Sequence, residues 1–559
     1  MQSSCTGLLS DYKVKLSLSR NLPSVILPPL AASFLLIAYN SAFWNSFVRA
    51  TGGLGWSQLP LQIGMFFLIA FVFTACLALV NFKYVFKPVL IFLFVATSAA
   101  SYFMNQYGTA IDWSMVQNVA ETDAREGMEL LTWKMTFTVT LLGILPSVVL
   151  GYSKVQYPPI KGHLAQILGS VLASLVLAGV LLFLLYKGLA SPLREHRELR
   201  FLLTPTNYIQ AVNGYFKRKW ASPVVVSPLG TDASKGVLWA KSSRRTVTVI
   251  IVGETARSMN FSLNGYSRQT NPLLANQQGL LNFTQVQSCG TATAVSVPCV
   301  FSALGRHQYS SAKAQGQEGL LDVFKHAGFD VRWRDNNSGC KGVCDRIQFE
   351  DLSKPAPGDP LCNTEECYDE KLLRDLPELI RSATKDLVIV LHQKGSHGPA
   401  YSKRYPKEFA KFAPVCETSE LAKCSTESIV AAYDNTILYT DFIISKAISI
   451  LEKSNTEDGV DTALMYFSDH GESLGEKNMY LHGAPYVISP DEQRHVPLML
   501  WLSDSFQTRF RIDTRCLAAR RDQEFSHDNV FHSALGMLAI NTAVYNPKLD
   551  IFNACKHEQ

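Results

Sequence analysis

The polar run 468–472 (SDHGE) offers two carboxylates and an imidazole within five positions, on Asp469, His470 and Glu472. It follows the apolar run 462–467 (TALMYF), which is typical of a buried β-strand. Carboxylate and imidazole groups together suit a divalent ion such as zinc. Alone, the run could also be a polar turn, so the prediction of a metal site needs support from other parts of the chain.

Two other apolar runs end in the same way. The run 246–252 (TVTVIIV) is followed by Glu254, and the run 387–391 (LVIVL) is followed by His392, with His397 just beyond. Continuous apolar runs of this length are typical of strands buried on both faces of a parallel sheet. Because helix-like stretches separate them, we predict an α/β domain, in which ligands bind beyond the carboxyl ends of the strands.

The segment 288–298 (SCGTATAVSVP) provides candidate nucleophiles, the hydroxyls of Thr291, Thr293 and Ser296. Its small residues allow the backbone to approach a ligand closely. A hydroxyl bound to a metal ion is activated as a nucleophile, so this segment and a metal site would together support group transfer. On composition alone, the segment could also be an ordinary loop rich in threonine and serine.

The first 190 residues of the 559-residue chain contain five apolar stretches. Two of them are long enough to span a bilayer, whereas the shorter ones could instead be buried helices of a soluble core. Five such stretches in succession, with no soluble pattern between them, favour membrane spans. They lie at about residues 24–44, 61–80, 88–104, 135–151 and 165–186.

Charge orients these spans, because basic loops stay in the cytoplasm. The loops after the second and fourth stretches carry the lysines Lys83, Lys87, Lys154 and Lys161. The third loop, about 105–134, leans acidic. Five spans with the N-terminus inside place everything after Tyr186 outside the cytoplasm.

We therefore expect four parts in the chain. A basic, aromatic, amphipathic helix over about 205–220 would lie on the membrane surface or, alternatively, pack on the soluble domain. The four parts are a cytoplasmic tail at 1–20, a transmembrane domain with five helices at 21–190, a membrane-surface linker helix region at 191–240, and a periplasmic catalytic domain at 241–559.

The cysteines agree with an oxidising location for the second half of the chain. Ten of the 12 cysteines follow residue 288, and eight of these form close pairs. Outside the cytoplasm, such pairs are typical of disulfides. The predicted pairs are Cys289–Cys299, Cys340–Cys344, Cys362–Cys367 and Cys416–Cys424, while Cys516 and Cys555 are left over and could pair with each other.

Two classes of function are disfavoured. The net charge of +5 is small, and no basic stripe with interleaved aromatic residues indicates a nucleic-acid surface. A non-catalytic membrane protein, such as a transporter or sensor with a metal-binding outer domain, is a distant alternative to an enzyme. The five apolar stretches contain no charged residue, which counts against a transport pathway.

Five motifs, taken together and in order, resemble those of the phosphoethanolamine transferases that modify lipid A, a family that includes the mobile colistin-resistance enzymes. They are VGETARSMNFSLNGYSRQT (252–270), SCGTATAVSVPCVFS (288–302), RDNNSGCKGVCD (334–345), LHQKGSHGPAYSKRYP (391–406) and SDHGESLGE (468–476). The resemblance extends to the five-span front. It implies an α-helical membrane domain followed by a soluble α/β/α sandwich of sulfatase/alkaline-phosphatase type.

The resemblance also implies roles for single residues. By position in the motifs, Thr293 is similar to the family's nucleophile. Three further residues are similar to the other ligands of its tightly bound zinc ion (Zn2+), namely Glu254, Asp469 and His470. Three more resemble residues that hold substrate phosphate or a second zinc ion, namely His397, His482 and Glu472.

Other positions resemble residues that handle the substrate. Lys341 is similar to the family's phosphate-binding lysine, and His392 to a supporting or proton-transfer histidine. In the third loop, Asn118, Thr122 and Glu126 resemble the site for the donor head group. Their four-residue spacing places them on one helix face, which could alternatively be an ordinary solvated face.

The chemistry that the resemblance implies is a two-step transfer. Zinc-bound Thr293 attacks the phosphorus of phosphatidylethanolamine, diacylglycerol leaves, and a lipid A phosphate then takes the phosphoethanolamine from the threonine. Such an enzyme would be a monomer in the bacterial inner membrane, with no nucleic-acid partner, and would confer resistance to polymyxin and colistin.

Related enzymes with the same metal site are the main alternatives. A sulfatase requires Cys/Ser-x-Pro-x-Arg around its nucleophile, and the run 296–298 (SVP) begins that pattern, but Val300 stands where arginine should be. A phosphoglycerol transferase would use much the same site. The acceptor could also be a core sugar of lipopolysaccharide, because the motifs do not distinguish among acceptors.

Overall fold

The computed structural model describes residues 22–111, 113–121, 127–128, 130–196, 199–219, 225–363 and 365–556. The chain divides into two compact units. The first comprises the described residues of 1–102, 135–199 and 203–205, and the second those of 103–134, 200–202 and 206–559. The predicted tail at 1–20 lies outside the described residues, and the predicted domain boundaries stay predictions.

The first unit consists of apolar helices, as predicted. In the part of the chain that the structure describes, four helices are long and apolar enough to cross a membrane, or five if a pair bent by 75° counts as one span. The four are Leu59–Leu79, Phe86–Tyr107, Trp133–Tyr152 and Ile160–Tyr186, the last being part of the helix Ile160–Glu195, and the bent pair is Ser24–Tyr39 with Ser41–Ala50.

The bend between the paired helices has a local cause. Asn40 stands at the break, and its side-chain amide donates to the backbone oxygens of Leu35 (2.9 Å) and Thr204 (3.0 Å). Its Oδ1 accepts from the backbone N–H of Thr204 at 2.8 Å. The buried amide thus satisfies a backbone oxygen near the end of the first helix and ties the break to Thr204, which accounts for the end of that helix.

The second unit is built on a sheet of seven strands, which we number in chain order. They are β1 (Thr246–Gly253), β2 (Leu281–Phe283), β3 (Asp330–Asp335), β4 (Gln348–Asp351), β5 (Leu387–His392), β6 (Asp461–Ser468) and β7 (Leu498–Leu502). Their order across the sheet is β2-β7-β6-β1-β5-β3-β4. β7 runs opposite to the other six strands and pairs antiparallel with both β2 and β6, so the sheet is mixed rather than purely parallel.

Helices cover both faces of this sheet and complete an α/β/α sandwich, which confirms the predicted fold class. Side chains of β1 alternate between two hydrophobic cores, with Ile250 and Val252 in one and Val249 and Ile251 in the other. The helices Thr293–Val300, Leu320–His326, Asp504–Phe510 and Asp528–Met537 contribute to the first core, and Leu376–Ser382 and Thr426–Glu457 to the second.

Shorter helices and strands belong to the two units as well. The helix expected near 205–220 is present at Thr206–Lys219, although its position on a membrane surface stays a prediction. Other short helices are Trp113–Glu121, Leu199–Leu202, Gly305–Gln308, Ser311–Gln315 and Thr514–Ala519. Short strands pair Leu22–Pro23 with Val155–Gln156, Ser234–Lys235 with Ile540–Asn541, Gln285–Gln287 with Glu524–Ser526, and Ser473–Leu474 with Tyr480–Leu481.

Disulfides join the cysteine pairs expected from the sequence. All four predicted pairs are bonded, and Cys516 and Cys555 form a fifth disulfide. The fifth links residues 39 positions apart, whereas each of the others closes a loop of ten residues or fewer. Because short loops lose little entropy on closure, the first four chiefly stiffen local segments.

Candidate active site

The site lies at the carboxyl ends of the central strands. In the register of the sheet, Gly253 at the end of β1 is opposite Ser468 at the end of β6, and His392 ends the neighbouring strand β5. Glu254 and Asp469 are the next residues in the chain after β1 and β6, so the parallel register brings them to one edge. This is the arrangement that the sequence predicted.

Four polar groups converge at this edge. Nε2 of His470 lies 3.3 Å from Oε1 of Glu254, 3.4 Å from Oδ2 of Asp469 and 3.3 Å from the hydroxyl of Thr293. The Thr293 hydroxyl donates to Oε2 of Glu254 at 3.0 Å. All four side chains are buried. The structure therefore brings together the predicted nucleophile and the three predicted metal ligands.

The spacing of these atoms suits a four-coordinate zinc ion. Ligand atoms held at about 2.0–2.2 Å from a tetrahedral ion are roughly 3.3–3.6 Å apart, which matches the separations around His470. A second observation agrees: Oδ2 of Asp469 is buried and has no hydrogen-bond partner among the described residues. The ion-pair contact of this oxygen is Nε2 of His470 at 3.4 Å, and because a carboxylate oxygen and an imidazole nitrogen at this separation are both zinc ligands, these residues fit zinc.

The electrostatics of the cluster also indicate a place for positive charge. Burial lowers the pKa of His470, but the carboxylates of Asp469 and Glu254 outweigh burial and raise it to about 10. Burial and the charge of Glu254 raise the pKa of Asp469 to about 6. Burial favours the neutral form of Glu254, yet the hydrogen bond and charge of His470 hold its pKa well below the usual range. Two carboxylates around one nitrogen thus create a site that attracts a cation.

A backbone contact on the side away from the cluster orients the ring of His470. Its Nδ1 lies 2.9 Å from the backbone oxygen of Gly471, which can only accept, so Nδ1 carries the hydrogen. Nε2 is then directed at the carboxylates and the threonine hydroxyl. Metal-binding histidines are commonly held by such a contact to the other ring nitrogen.

A second group of predicted residues lies beside the first. The ring of His482 lies 4.3 Å from that of His470 and 5.4 Å from that of His397, measured between centroids. One ring nitrogen of His482 lies within 4.8 Å of ligand atoms of both Glu254 and His470. Nδ1 of His482 bonds Oε2 of Glu472 at 2.8 Å. Among the predicted substrate or second-metal residues, His482 therefore adjoins the first cluster, and His397 and Glu472 adjoin His482.

A third group supports Glu254 from the side of β3. The amide of Asn337 donates to Oε2 of Glu254 at 2.8 Å and to the backbone oxygen of Gln393 at 2.9 Å, and it lies 3.4 Å from Nε2 of His392. Nδ1 of His392 in turn bonds Oδ1 of Asp335 at 2.7 Å. His392 thus reaches Glu254 only through Asn337, which agrees with a supporting role.

Among the three candidate hydroxyls, only that of Thr293 faces the cluster. The hydroxyl of Thr291 donates to the backbone oxygen of Ala484 at 2.6 Å, and that of Ser296 to the backbone oxygen of Asp469 at 2.5 Å. Thr293 is also the first residue of the helix Thr293–Val300. The positive end of a helix dipole at this point favours negative charge on the hydroxyl oxygen or on a nearby phosphate.

Lys341 lies on a sharply turned segment of the loop that follows β3. Its backbone has a φ of 53°, and it stands between the bonded cysteines Cys340 and Cys344. Its ammonium donates to the backbone oxygen of Ser338 at 3.1 Å and to the hydroxyl of Ser338 at 3.0 Å. Ser338 follows Asn337, the residue that bonds Glu254, so the lysine belongs to the same loop as a partner of the cluster.

The third loop belongs to the same unit as the site. Asn118 lies on the helix Trp113–Glu121, whereas Thr122 and Glu126 lie outside the described residues. A Cβ atom added at Gly483, next to His482, would lie 3.4 Å from the sulfur of Met115 on this helix. The helix that carries Asn118 therefore contacts the backbone beside the second group.

Sequence reasoning did not single out several residues of the site. They are Asp335, Asn337, Tyr401 and His527. His527 is fully buried, accepts from the backbone N–H of Cys289 at 3.1 Å and contacts the backbone oxygen of Ser468 at 3.0 Å, and burial lowers its pKa to about 3. It ties the nucleophile segment to β6 as a neutral imidazole. Only the polar run after β3 could have indicated Asn337.

The fold and the cluster together define a sulfatase-type domain, which follows a segment of apolar helices in the chain. The family model described as "Sulfatase" matches residues 246–540, and the one described as "Phosphoethanolamine transferase EptA/EptB" matches residues 69–220. These two matches cover most of the chain after its first apolar stretch.

Individual relatives agree with both matches. The phosphoethanolamine transferase EptA of Escherichia coli K12 is 39% identical over 531 residues, 94% of this chain and 96% of the relative. The phosphatidylethanolamine transferase Mcr-2 of E. coli is 42% identical over 436 residues, 76% and 80% of the two chains. The integral membrane lipooligosaccharide phosphoethanolamine transferase A of Neisseria meningitidis has a similar structure, with a TM-score of 0.91, 35% identity and coverage of 96% and 100%. The chain belongs to the phosphoethanolamine transferase family.

Proposed function

We propose that this enzyme transfers phosphoethanolamine from phosphatidylethanolamine to a phosphate of lipid A through a covalent intermediate on Thr293. A zinc ion would be held by Glu254, Asp469 and His470 together with the Thr293 hydroxyl. The observation that carries the proposal is the convergence of the other three side chains on Nε2 of His470, at 3.3–3.4 Å, together with the 3.0 Å hydrogen bond from Thr293 to Glu254.

In the first step, the hydroxyl oxygen of Thr293 forms a bond to the phosphorus of the donor lipid. The bond from phosphorus to the glycerol oxygen breaks, and diacylglycerol leaves with its oxygen protonated, so that it takes up the equivalent of the proton released by the threonine hydroxyl. The hydrogen bond from Thr293 to Glu254 gives the hydroxyl proton an acceptor at 3.0 Å. Zinc, when bound, would lower the pKa of the hydroxyl and offset the charge on the phosphoryl oxygens.

In the second step, a phosphate oxygen of the acceptor forms a bond to the same phosphorus and the threonine oxygen leaves. The helix that begins at Thr293 presents its positive end to the phosphoryl group in both steps. His482 and His397 would hold the phosphoryl oxygens or a second zinc ion, since the ring of His482 lies beside that of His470 and the ring of His397 lies beside that of His482. Lys341 would add positive charge to the substrate from the neighbouring loop.

The donor and acceptor are proposed from the relatives and from the sequence. The names of the relatives include phosphatidylethanolamine and lipooligosaccharide, which supports phosphatidylethanolamine as donor and a lipid A phosphate as acceptor. Asn118, Thr122 and Glu126 would bind the donor head group. The enzyme would work as a monomer in the bacterial inner membrane, with its catalytic domain at 241–559 in the periplasm, and would confer resistance to polymyxin and colistin.

Mass spectrometry of lipid A tests this proposal. Cells that express the wild-type protein should yield lipid A heavier by one phosphoethanolamine unit, and cells that express Thr293→Ala should yield unmodified lipid A. Unmodified lipid A together with modified core sugars would show that the acceptor is a core sugar and not a lipid A phosphate. Addition of phosphoglycerol instead of phosphoethanolamine would assign the protein to the other transferase class.

A further inference from the structure

A chain of hydrogen bonds leads away from His482 to a tyrosine that has no place in the proposed chemistry. Oε2 of Glu472 bonds Nδ1 of His482 at 2.8 Å, and Oε1 of the same carboxylate accepts from the hydroxyl of Tyr401 at 2.6 Å. Tyr401 is 1% exposed and Glu472 is fully buried. Both oxygens of the buried carboxylate are therefore engaged, one by each ring.

We infer that Tyr401 is a positioning residue for phosphoryl transfer, which fixes Glu472 so that Glu472 in turn fixes His482. The inference rests on the proposed function, because His482 acts there on the phosphoryl group. With Nδ1 bonded to the carboxylate, His482 has Nε2 available for a phosphoryl oxygen or a metal ion. Tyr401 itself touches neither the donor lipid nor the Thr293 hydroxyl in this scheme.

The surroundings of the tyrosine favour this role over simple core packing. A phenylalanine would fill the same space, and burial of a hydroxyl is unfavourable unless it makes a hydrogen bond. Its ring packs edge-on against Tyr433 with centroids 5.5 Å apart, which fixes the direction of the hydroxyl. The hydroxyl then meets the one carboxylate that holds His482.

The backbone opposite leaves room for the same hydrogen bond. A Cβ atom added at Gly398 would lie 2.7 Å from Oε1 of Glu472 and 2.8 Å from the hydroxyl of Tyr401. Any side chain at this position would enter the gap that the two oxygens occupy. Gly398 immediately follows His397. The segment that carries His397 therefore also leaves space for Glu472, the partner of His482.

The test uses the full-length protein in detergent with phosphatidylethanolamine as donor and purified lipid A as acceptor. Tyr401→Phe keeps the ring and removes the hydroxyl, so kcat should fall on the order of 10-fold, as for loss of other partners that orient a site residue. KM for the donor should change by less than about twofold, since the lost interaction acts on the reacting group. Tyr405→Phe is the matched control.

The control removes a different buried hydroxyl from the same segment. Tyr405 is 5% exposed, and its hydroxyl accepts from the amide of Asn435 at 3.2 Å, a partner outside the pair of Glu472 and His482. Its loss should leave kcat close to the wild-type value. Melting temperatures of both variants show whether either change acts through stability.

A double-variant cycle separates positioning from a structural role. If Tyr401 acts only through His482, then Tyr401→Phe should cause no further loss of kcat in a His482→Ala background. A purely structural tyrosine would lower kcat by the same factor in both backgrounds. Gly398→Ala disturbs the hydrogen bond between Tyr401 and Glu472 from the other side. It should lower kcat in the wild-type background and cause no further loss of kcat in the His482→Ala background.

Each outcome decides the inference. Full activity of Tyr401→Phe, full activity of Gly398→Ala, or losses that multiply with His482→Ala would overturn it while leaving the proposed function intact. A wild-type protein that transfers no phosphoethanolamine would overturn the proposed function, and the inference with it. A loss confined to variants with an intact His482 supports the inference.

Discussion

The hydroxyl of Thr293 lies 3.0 Å from a carboxylate oxygen of Glu254, although the two residues are 39 positions apart in the chain. The short helix Thr293–Val300 brings the hydroxyl to the edge of the sheet, and strand β1 brings the carboxylate. Because the donor and acceptor come from separate elements, only the folded domain assembles the pair. Most of the proposed chemistry follows from this contact.

Removal of single ligands should lower zinc content. We expect Glu254→Gln, Asp469→Asn and His470→Ala each to reduce the zinc bound per purified protein, because each removes one of the converging donors. Asp441→Asn is a matched control, since Asp441 is also a fully buried carboxylate but bonds the backbone N–H groups of Leu273 and Leu274. Elemental analysis measures the metal. Full zinc content in all three variants would show that the ligand set is wrong.

Loss of the amide that supports Glu254 should weaken the metal site without abolishing it. Asn337→Ala removes the 2.8 Å hydrogen bond to Oε2 of Glu254, and the zinc dissociation constant should rise about 10- to 100-fold. Titration with a competing chelator measures this constant. Asn337→Asp should be worse than Asn337→Ala, because it places a second negative charge against Glu254. An unchanged constant in both variants would contradict the supporting role.

Stability should depend on pH through Asp441. Burial raises its pKa from 3.8 to about 7 in the folded protein, so its favourable contribution is complete below pH 4 and is lost as the pH rises through 7. The full loss is on the order of 4 kcal/mol. Asp441→Asn does not ionise, so its deficit relative to the wild type, present at pH 5, should shrink towards pH 8. A difference in melting temperature between the wild type and Asp441→Asn that stays constant from pH 5 to pH 8 would exclude this effect.

Orientation in the membrane can be tested with reporters that work only when exported. A reporter fused after residue 190 should be active, and one fused near residue 157 should be silent, because Lys154 and Lys161 keep that loop in the cytoplasm. The reverse pattern would also contradict the disulfides. Cysteines facing the cytoplasm would be kept reduced.

The sequence was most informative where a buried strand ends in a polar residue. Continuous apolar runs identified β1, β5 and β6, and the polar residues at their carboxyl ends, Glu254, His392 and Asp469, lie at one edge as predicted. The parallel register explains this success, because strands of similar length end together. Thr293 could not be selected in this way, since its neighbours Thr291 and Ser296 carry the same group; the resemblance selected it, and the hydrogen bonds of the other two agree.

The sequence was least informative where the site depends on contacts between loops. Strand β3 (DVRWRD) has charged residues between its apolar ones, so its end, and therefore Asn337, was not recognised. The direction of β7 is set by pairing with β2 and β6, which its own apolar residues do not encode. Tyr401 reaches Glu472 only after two loops pack together.

Intact-mass analysis of the protein after incubation with phosphatidylethanolamine, without an acceptor, tests the covalent step. The wild type should gain one phosphoethanolamine unit, mapped by peptide sequencing to Thr293. Thr293→Ala should gain nothing and retain most of its zinc, because three ligands remain, whereas Thr293→Ser should retain some activity, since the hydroxyl survives without the methyl group that helps fix its rotamer. An adduct on Thr291 or Ser296, or transfer that persists in Thr293→Ala, would contradict Thr293 as the nucleophile.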